Sequence, residues 1–229
     1  MVLNRTRDAL TSERQILLSF PERKDFALEN FLVLPTNNLG YMSVGQFPQI
    51  AGDVLVVYGE KGVGKSHLFS TYVERTGAKI LTKSELKLPL DLDYNNFAID
   101  GIDDLTEGQQ EALFHLFNHV KSSAGSLLVI ARSAVAKMDI LADLKSRLLT
   151  APQIEIEPPK DVHLEVFLVK YASDRQMFLD PKVSNYILKN CERNLSHIEA
   201  IVAKLDSLSL EQKRKITVPL VRQVFNAPL

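Results

Sequence analysis

Apolar positions along this chain fall into two kinds of pattern that take turns. Short continuous runs occur at Val54 to Tyr58, Lys79 to Thr82, Asn96 to Asp100, Leu127 to Ala131 and Gln153 to Ile156. Runs of this length predict strands, and strands separated by helical segments predict a parallel sheet covered on both faces. Between the third and fourth runs, Gln109 to Val120 sets Ala112, Leu113, Leu116, Phe117 and Val120 along one helical stripe, as a helix lying on a sheet requires. Pro158-Pro159 punctuates the chain, and the rhythm beyond it is helical: Val162 to Gln176, Pro181 to Asn190, Leu195 to Leu208, and a last helix opening at Thr217 with Pro219 in its first turn. The expected organisation is an α/β core over residues 26–158 with a five-stranded parallel sheet, then a small helical domain over 159–229. Residues 1–25 read as an N-terminal arm, polar and aperiodic at first, with an apolar cluster from Gln15 to Phe20.

Composition adds mainly exclusions. At 229 residues and 45% hydrophobic content the chain can bury a sizeable core. Its 27 basic and 28 acidic residues cancel, so bulk charge announces neither nucleic acid nor a membrane surface as partner. A single cysteine, Cys191, excludes an intramolecular disulfide framework. No N-terminal apolar stretch suits a signal peptide or membrane span, so a cytoplasmic protein is expected.

The candidate chemistry begins where the first strand ends. Gly59-Glu60-Lys61-Gly62-Val63-Gly64-Lys65-Ser66 is a complete phosphate-binding loop between a strand and a helix. Gly59, Gly62 and Gly64 let the backbone curl around an anion with its amides inward, and the helix dipole adds to the attraction. Lys65 would reach the outer phosphates, and Ser66 offers a hydroxyl to Mg²⁺, whose second protein ligand would be Asp100 at the end of the third strand. The expected cofactors are ADP or ATP with Mg²⁺. Hydrolysis also needs a group that orients water, commonly an acid beside the metal ligand, and Gly101 cannot serve. Asp103 and Asp104 read as solvated loop acids or helix N-caps, so slow intrinsic turnover is expected.

With the loop, Asp100 and the helical tail in place, the chain resembles the DnaA-related AAA+ ATPases, and within them the short Hda-like regulators. The resemblance extends from Gln15 to the C-terminus and implies an AAA+ P-loop core followed by a helical lid. Phe31-Leu32-Val33-Leu34-Pro35-Thr36-Asn37 is similar to the family segment whose apolar residues lie against adenine, which implies nucleotide contact from Phe31, Leu32 and Val33 as well as from Val63 and His67 by the loop. Glu111 to Asn118 and Gln212 to Pro219 resemble two further family stretches, the helix after the acidic strand and the start of the last lid helix. Leu144-Lys145-Ser146-Arg147-Leu148 matches the family's Ser-Arg box, which implies that Arg147 projects toward a neighbouring subunit's nucleotide. Arginine suits that work because it stays charged and can meet two phosphate oxygens together. The residue-level alternative is a surface arginine paired with a local acid.

Gln15-Ile16-Leu17-Leu18-Ser19-Phe20 is similar to the peptide by which Hda-like proteins dock on the DNA polymerase sliding clamp. A glutamine followed by large apolar side chains on a polar arm suits peptide recognition, and the plainer alternative is an arm packed on the core. The resemblance implies DnaA and the clamp as partners, a possible homo-oligomer, DNA reached at most through the clamp, and no membrane. No helix-turn-helix follows the lid segment here, which counts against an initiator or a DNA-locus-binding module, and Gly101 counts against a stand-alone helicase- or clamp-loading motor.

Departures from the family concentrate at nucleotide-sensing positions. The lid arginine aligns with Ser196, and the small polar residue at the end of the fourth strand becomes Arg132, which either contacts phosphate or faces solvent. His115 and His119 stand one helical turn apart but lack a third metal ligand nearby, and Lys213-Arg214-Lys215 reads as a solvated loop.

Overall fold

A computed structural model describes residues 32–226 of the chain; Gln15, Ile16, Leu17, Leu18, Phe20 and Phe31 lie outside the described residues. The strands are β1 (Asp53–Tyr58), β2 (Lys79–Ile80), β3 (Asn96–Asp100), β4 (Ser126–Ala131) and β5 (Gln153–Glu155). They form one sheet in the order β2-β3-β4-β1-β5, and every pairing is parallel. β1 pairs with β4 from Asp53↔Ser126 to Tyr58↔Ala131 and with β5 on its other side. Helices α1 (Asn38–Gln46), α2 (Lys65–Thr76), α3 (Glu107–Ser122) and α4 (Ala142–Leu149) accompany the sheet. After β5 come α5 (Asp161–Asp174), α6 (Pro181–Asn190), α7 (Leu195–Gln212) and α8 (Val218–Asn226).

The two faces of the sheet carry separate cores because side chains alternate along each strand. Val54, Val56, Phe97, Ile99, Leu127 and Val129 pack with Ala112, Leu113, Leu116, Phe117 and Val120 of α3. Leu55, Val57, Ala98, Leu128 and Ile130 face the other way, onto Leu68, Phe69 and Tyr72 of α2 and Val44 of α1. Each fully buried aliphatic side chain of this kind contributes about 1.5–3 kcal/mol of transfer free energy. A third cluster joins α5 to α8 through Leu164, Leu168, Ile187, Ile198, Ile201, Val202, Leu205 and Val221, and Leu34 near the start of the described chain belongs to it.

Several boundaries differ from the sequence expectation for local reasons. β2 stops at Ile80, although Leu81 still donates its amide to Ala98 at 2.9 Å. Glu85 then captures both the amide and the hydroxyl of Thr82, at 2.9 and 2.6 Å, and turns the chain. α7 runs past Leu208 to Gln212 and ends at Lys213 with φ 49°. α1 and α4 are not announced by the strand-and-helix rhythm, since each is short and buries only two residues.

One buried polar knot ties the layers together. Ser126 is fully buried, its hydroxyl 2.7 Å from both Tyr72 Oη on α2 and Asn96 Oδ1 on β3. Ser126→Ala removes both bonds from the interior, and a loss of about 1–3 kcal/mol in urea unfolding is expected; an unchanged midpoint would show that the knot is not structural.

Candidate functional site

Parallel pairing delivers the C-terminal ends of all strands to one edge, and the predicted phosphate loop leaves β1 there. Residues 59–64 link β1 to α2, whose first residue is Lys65 and whose N-cap is Gly64. Gly62 has a φ of 83°, and a Cβ placed on it would meet Asn194 Cβ at 3.0 Å and Asn194 Oδ1 at 3.1 Å. A side chain there would therefore be strained and would push on α7. Val63 is buried beneath the loop, Ser66 is exposed and His67 is half-buried.

Lys65 is buried, 9% exposed, with its ammonium donating to the carbonyls of Gly59 and Glu60, each at 2.7 Å. Burial pushes its pKa below the ordinary lysine value, opposed by the charges of Asp100 and Asp103 and assisted by Arg132. Asp100 closes β3 and stays open to solvent at the strand end. The depth of protein around it raises its carboxyl, while Lys65, Arg132 and Lys83 oppose that rise and Asp103 adds to it. Lys65, Ser66 and Asp100 thus share one strand edge, with a cation, a hydroxyl and a carboxylate of the kinds a magnesium nucleotide needs.

Position 101 is a glycine for a backbone reason: its φ is 81°, and its amide donates to Ile130 at 3.0 Å. Asp103 is half-exposed and does not cap an α-helix. Its carboxylate accepts from the amides of Arg132, at 3.0 and 2.9 Å, and from Ser133 at 3.1 Å, pinning the turn after β4 to the turn after β3. The α3 cap belongs instead to Thr106, in a capping box with Gln109. Asp104 pairs with Lys83, which holds its carboxyl below the usual range. The Arg132 side chain is exposed, and its charge is felt by both Lys65 and Asp100.

The lid reaches the loop directly. Asn194 caps α7 by accepting from the His197 amide at 2.7 Å, and the next amide, Leu195, donates to the Gly62 carbonyl at 3.1 Å. Ser196 is exposed in that first turn, so no lid cation stands at the position. Leu32 packs on the lid cluster and Val33 is 40% exposed. Arg147 lies in the last turn of α4, between the buried Leu144 and Leu148, with its side chain exposed. Among the described residues no carboxylate pairs with it; its neighbour Lys145 is instead tied to the Met138 carbonyl at 2.7 Å. Away from the site, His119 meets Phe97 edge-on and His115 meets Phe114.

Sequence reasoning missed Asn194 and Lys83. The signal for Lys83 was its place just past β2, since in an all-parallel sheet every strand's outgoing loop lies on the ligand edge.

Residues 161–225 match the model of the Hda lid domain. The chain is 26% identical over 245 residues to the chromosomal replication initiator protein DnaA of Buchnera aphidicola subsp. Cinara cedri, covering 93% of this chain and 55% of that protein. It is 27% identical over 232 residues to an uncharacterized protein of Haemophilus influenzae, covering 93% and 99%. The chain spans about half the length of the DnaA relatives it matches. Domain III of the Thermotoga maritima DnaA superposes with a TM-score of 0.74 at 20% identity, over 90% of this chain and 98% of that one. The AMPPCP-bound DnaA of Aquifex aeolicus superposes with a TM-score of 0.67 at 21% identity, over 82% and 67%. The fold is that of an AAA+ core.

The raised Asp100 carboxyl means that burial opposes its charged form, so at neutral pH Asp100→Asn relieves an unfavourable charge. The expected outcome is an unchanged or raised melting temperature without nucleotide, together with loss of any Mg²⁺-dependent stabilisation by nucleotide. Gly101→Glu, by contrast, is expected to lower stability by about 1–2 kcal/mol in urea unfolding because a side chain enters a left-handed backbone; a stability equal to wild type would remove the backbone explanation for Gly101.

Proposed function

From the similarity to DnaA proteins over most of the chain and the match of residues 161–225 to the Hda lid domain, we propose that the protein is a DnaA-related, nucleotide-binding regulator of replication initiation that promotes hydrolysis of DnaA-bound ATP. Arg147 carries the reading: its guanidinium is exposed on α4 with no carboxylate partner among the described residues. In this reading Arg147 meets the phosphates of ATP held by DnaA, and the planar donor pair stabilises the charge that builds up during transfer.

The chain's own loop would hold ADP or ATP with Mg²⁺. Lys65 would exchange the carbonyls of Gly59 and Glu60 for phosphate oxygens, Ser66 and Asp100 would hold the metal, and Val63 and His67 would flank the nucleotide. Leu32 and Val33, with Phe31 outside the described residues, would border the base. Bound Mg²⁺ supplies charge compensation for the phosphates. Turnover in this pocket would be slow, since Gly101 offers no group to orient water and the Asp103 carboxylate is occupied by two backbone amides. Gln15, Ile16, Leu17, Leu18 and Phe20 would dock on the DNA polymerase sliding clamp, bringing the regulator to the chromosome without contacting DNA itself. Among the described residues no helix is long and apolar enough to cross a membrane. A regulator of this kind would act in the cytoplasm, where DnaA does.

The test is reconstitution of ATP-DnaA with DNA-loaded clamp. Wild-type protein should accelerate hydrolysis of the DnaA-bound ATP, and Arg147→Ala should remove on the order of 10³-fold of that acceleration. Gln15→Ala/Phe20→Ala should remove the dependence on clamp. Lys65→Ala should abolish nucleotide binding by the regulator itself. No acceleration by wild type, or brisk intrinsic turnover abolished in Lys65→Ala, would replace this reading with that of a motor ATPase.

A further inference from the structure

Lys83 occupies the flank of the candidate phosphate site that Gly101 leaves open. A Cβ built on Gly101 would have Lys83 Cε as its neighbour at 3.9 Å, so the lysine chain passes over the ground from which an acid following Asp100 would project. Its backbone is anchored there. The Lys83 carbonyl accepts from Gln109 Nε2 at 2.7 Å, Gln109 is itself locked in the α3 capping box, and the Thr82–Glu85 turn holds the residues on either side. The head of the chain is not anchored in the same way. Among the described residues its ammonium pairs with Asp104, and both side chains are open to water, at 41% and 71% exposure. Exposed pairs of this kind contribute little and exchange readily for a better anion.

Lys83 borders a shallow cleft of about 360 Å³ shared with Leu86, Thr106 and Gln109. Its charge already reaches Asp100, the carboxylate that would hold the metal. The charges of Lys65 and Arg132 act on the same carboxylate, and lid position 196 carries an uncharged serine.

We propose that Lys83 is a specificity-determining residue for the terminal phosphate: it leaves Asp104 to contact the third phosphate of a bound nucleoside triphosphate, so the core discriminates ATP from ADP without a lid arginine. The inference rests on the nucleotide-binding reading of the loop. Asp104 is the counterweight that holds Lys83 when the third phosphate is absent. A cation on the side where a water-orienting acid would stand also stabilises the bound triphosphate without activating water, in keeping with a pocket that holds nucleotide more than it turns it over.

The test is equilibrium binding of AMPPCP and of ADP, each with Mg²⁺, to the full chain by calorimetry. Lys83→Ala should weaken AMPPCP by about five- to tenfold, the effect of removing one charge-assisted hydrogen bond, and leave ADP within about twofold. Lys83→Arg should retain most of the preference, and Asp104→Asn, which frees the ammonium, should tighten AMPPCP relative to ADP. Equal weakening of both nucleotides in Lys83→Ala, or no weakening of either, overturns the inference while leaving the nucleotide reading intact. Failure of wild-type protein to bind either nucleotide overturns both. Unchanged melting curves for these exposed variants separate binding from folding.

Discussion

Parallel pairing of β1 between β4 and β5 is the constraint on which the rest of the site depends. A parallel ladder needs a crossover between successive strands, and the crossovers put α2 on one face and α3 on the other. All the strands then end on one edge. The order of the sheet reverses at β1, so the crevice where ligands of open α/β sheets bind falls directly above Gly59. Asp100 ends β3 and Arg132 follows β4, and the two come to the same edge from positions far apart in the chain.

Electrostatically the edge is a ring of compensating charges. The charges of Lys65, Arg132, Lys83 and Asp103 all act on Asp100, and Lys83 is itself paired with Asp104. Two of the acids are already committed, Asp103 to the amides after β4 and Asp104 to Lys83. That leaves Asp100 as the accessible carboxylate of the group. A pocket of this kind is suited to retaining an anion, and in the proposed reading the arginine that assists transfer stands elsewhere, on α4.

The helical domain is coupled to the loop by a narrow set of contacts. Leu195 bonds to Gly62, Asn194 abuts the same residue, and Leu34 inserts into the lid cluster while Thr36 accepts from Glu157 at 3.2 Å beside the lid-bound linker. Any change in the loop's shape on binding would therefore be felt first at the N-terminus of α7. With Ser196 there, the coupling runs through backbone and Asn194 rather than through a long charged side chain.

Local pattern was enough to read the five strands, the α3 stripe, the four lid helices and the phosphate loop, because each depends on side-chain periodicity or on glycines at fixed spacing. Asn96–Asp100 and Pro181–Asn190 match the expected bounds without change. Alternation between two cores was implicit in β1, but which residues faced α2 and which α3 was settled only when the crossovers closed. The roles of Asp103, Lys83 and Asn194 were decided by tertiary structure alone. Each acts on a residue in another loop, 29 positions away in the case of Asp103 and Arg132, and no local propensity encodes such a meeting. Gly101 shows the division most clearly. The sequence by itself determined that no carboxylate follows Asp100; the folded backbone decided that the position is left-handed, and it placed a lysine across the opening.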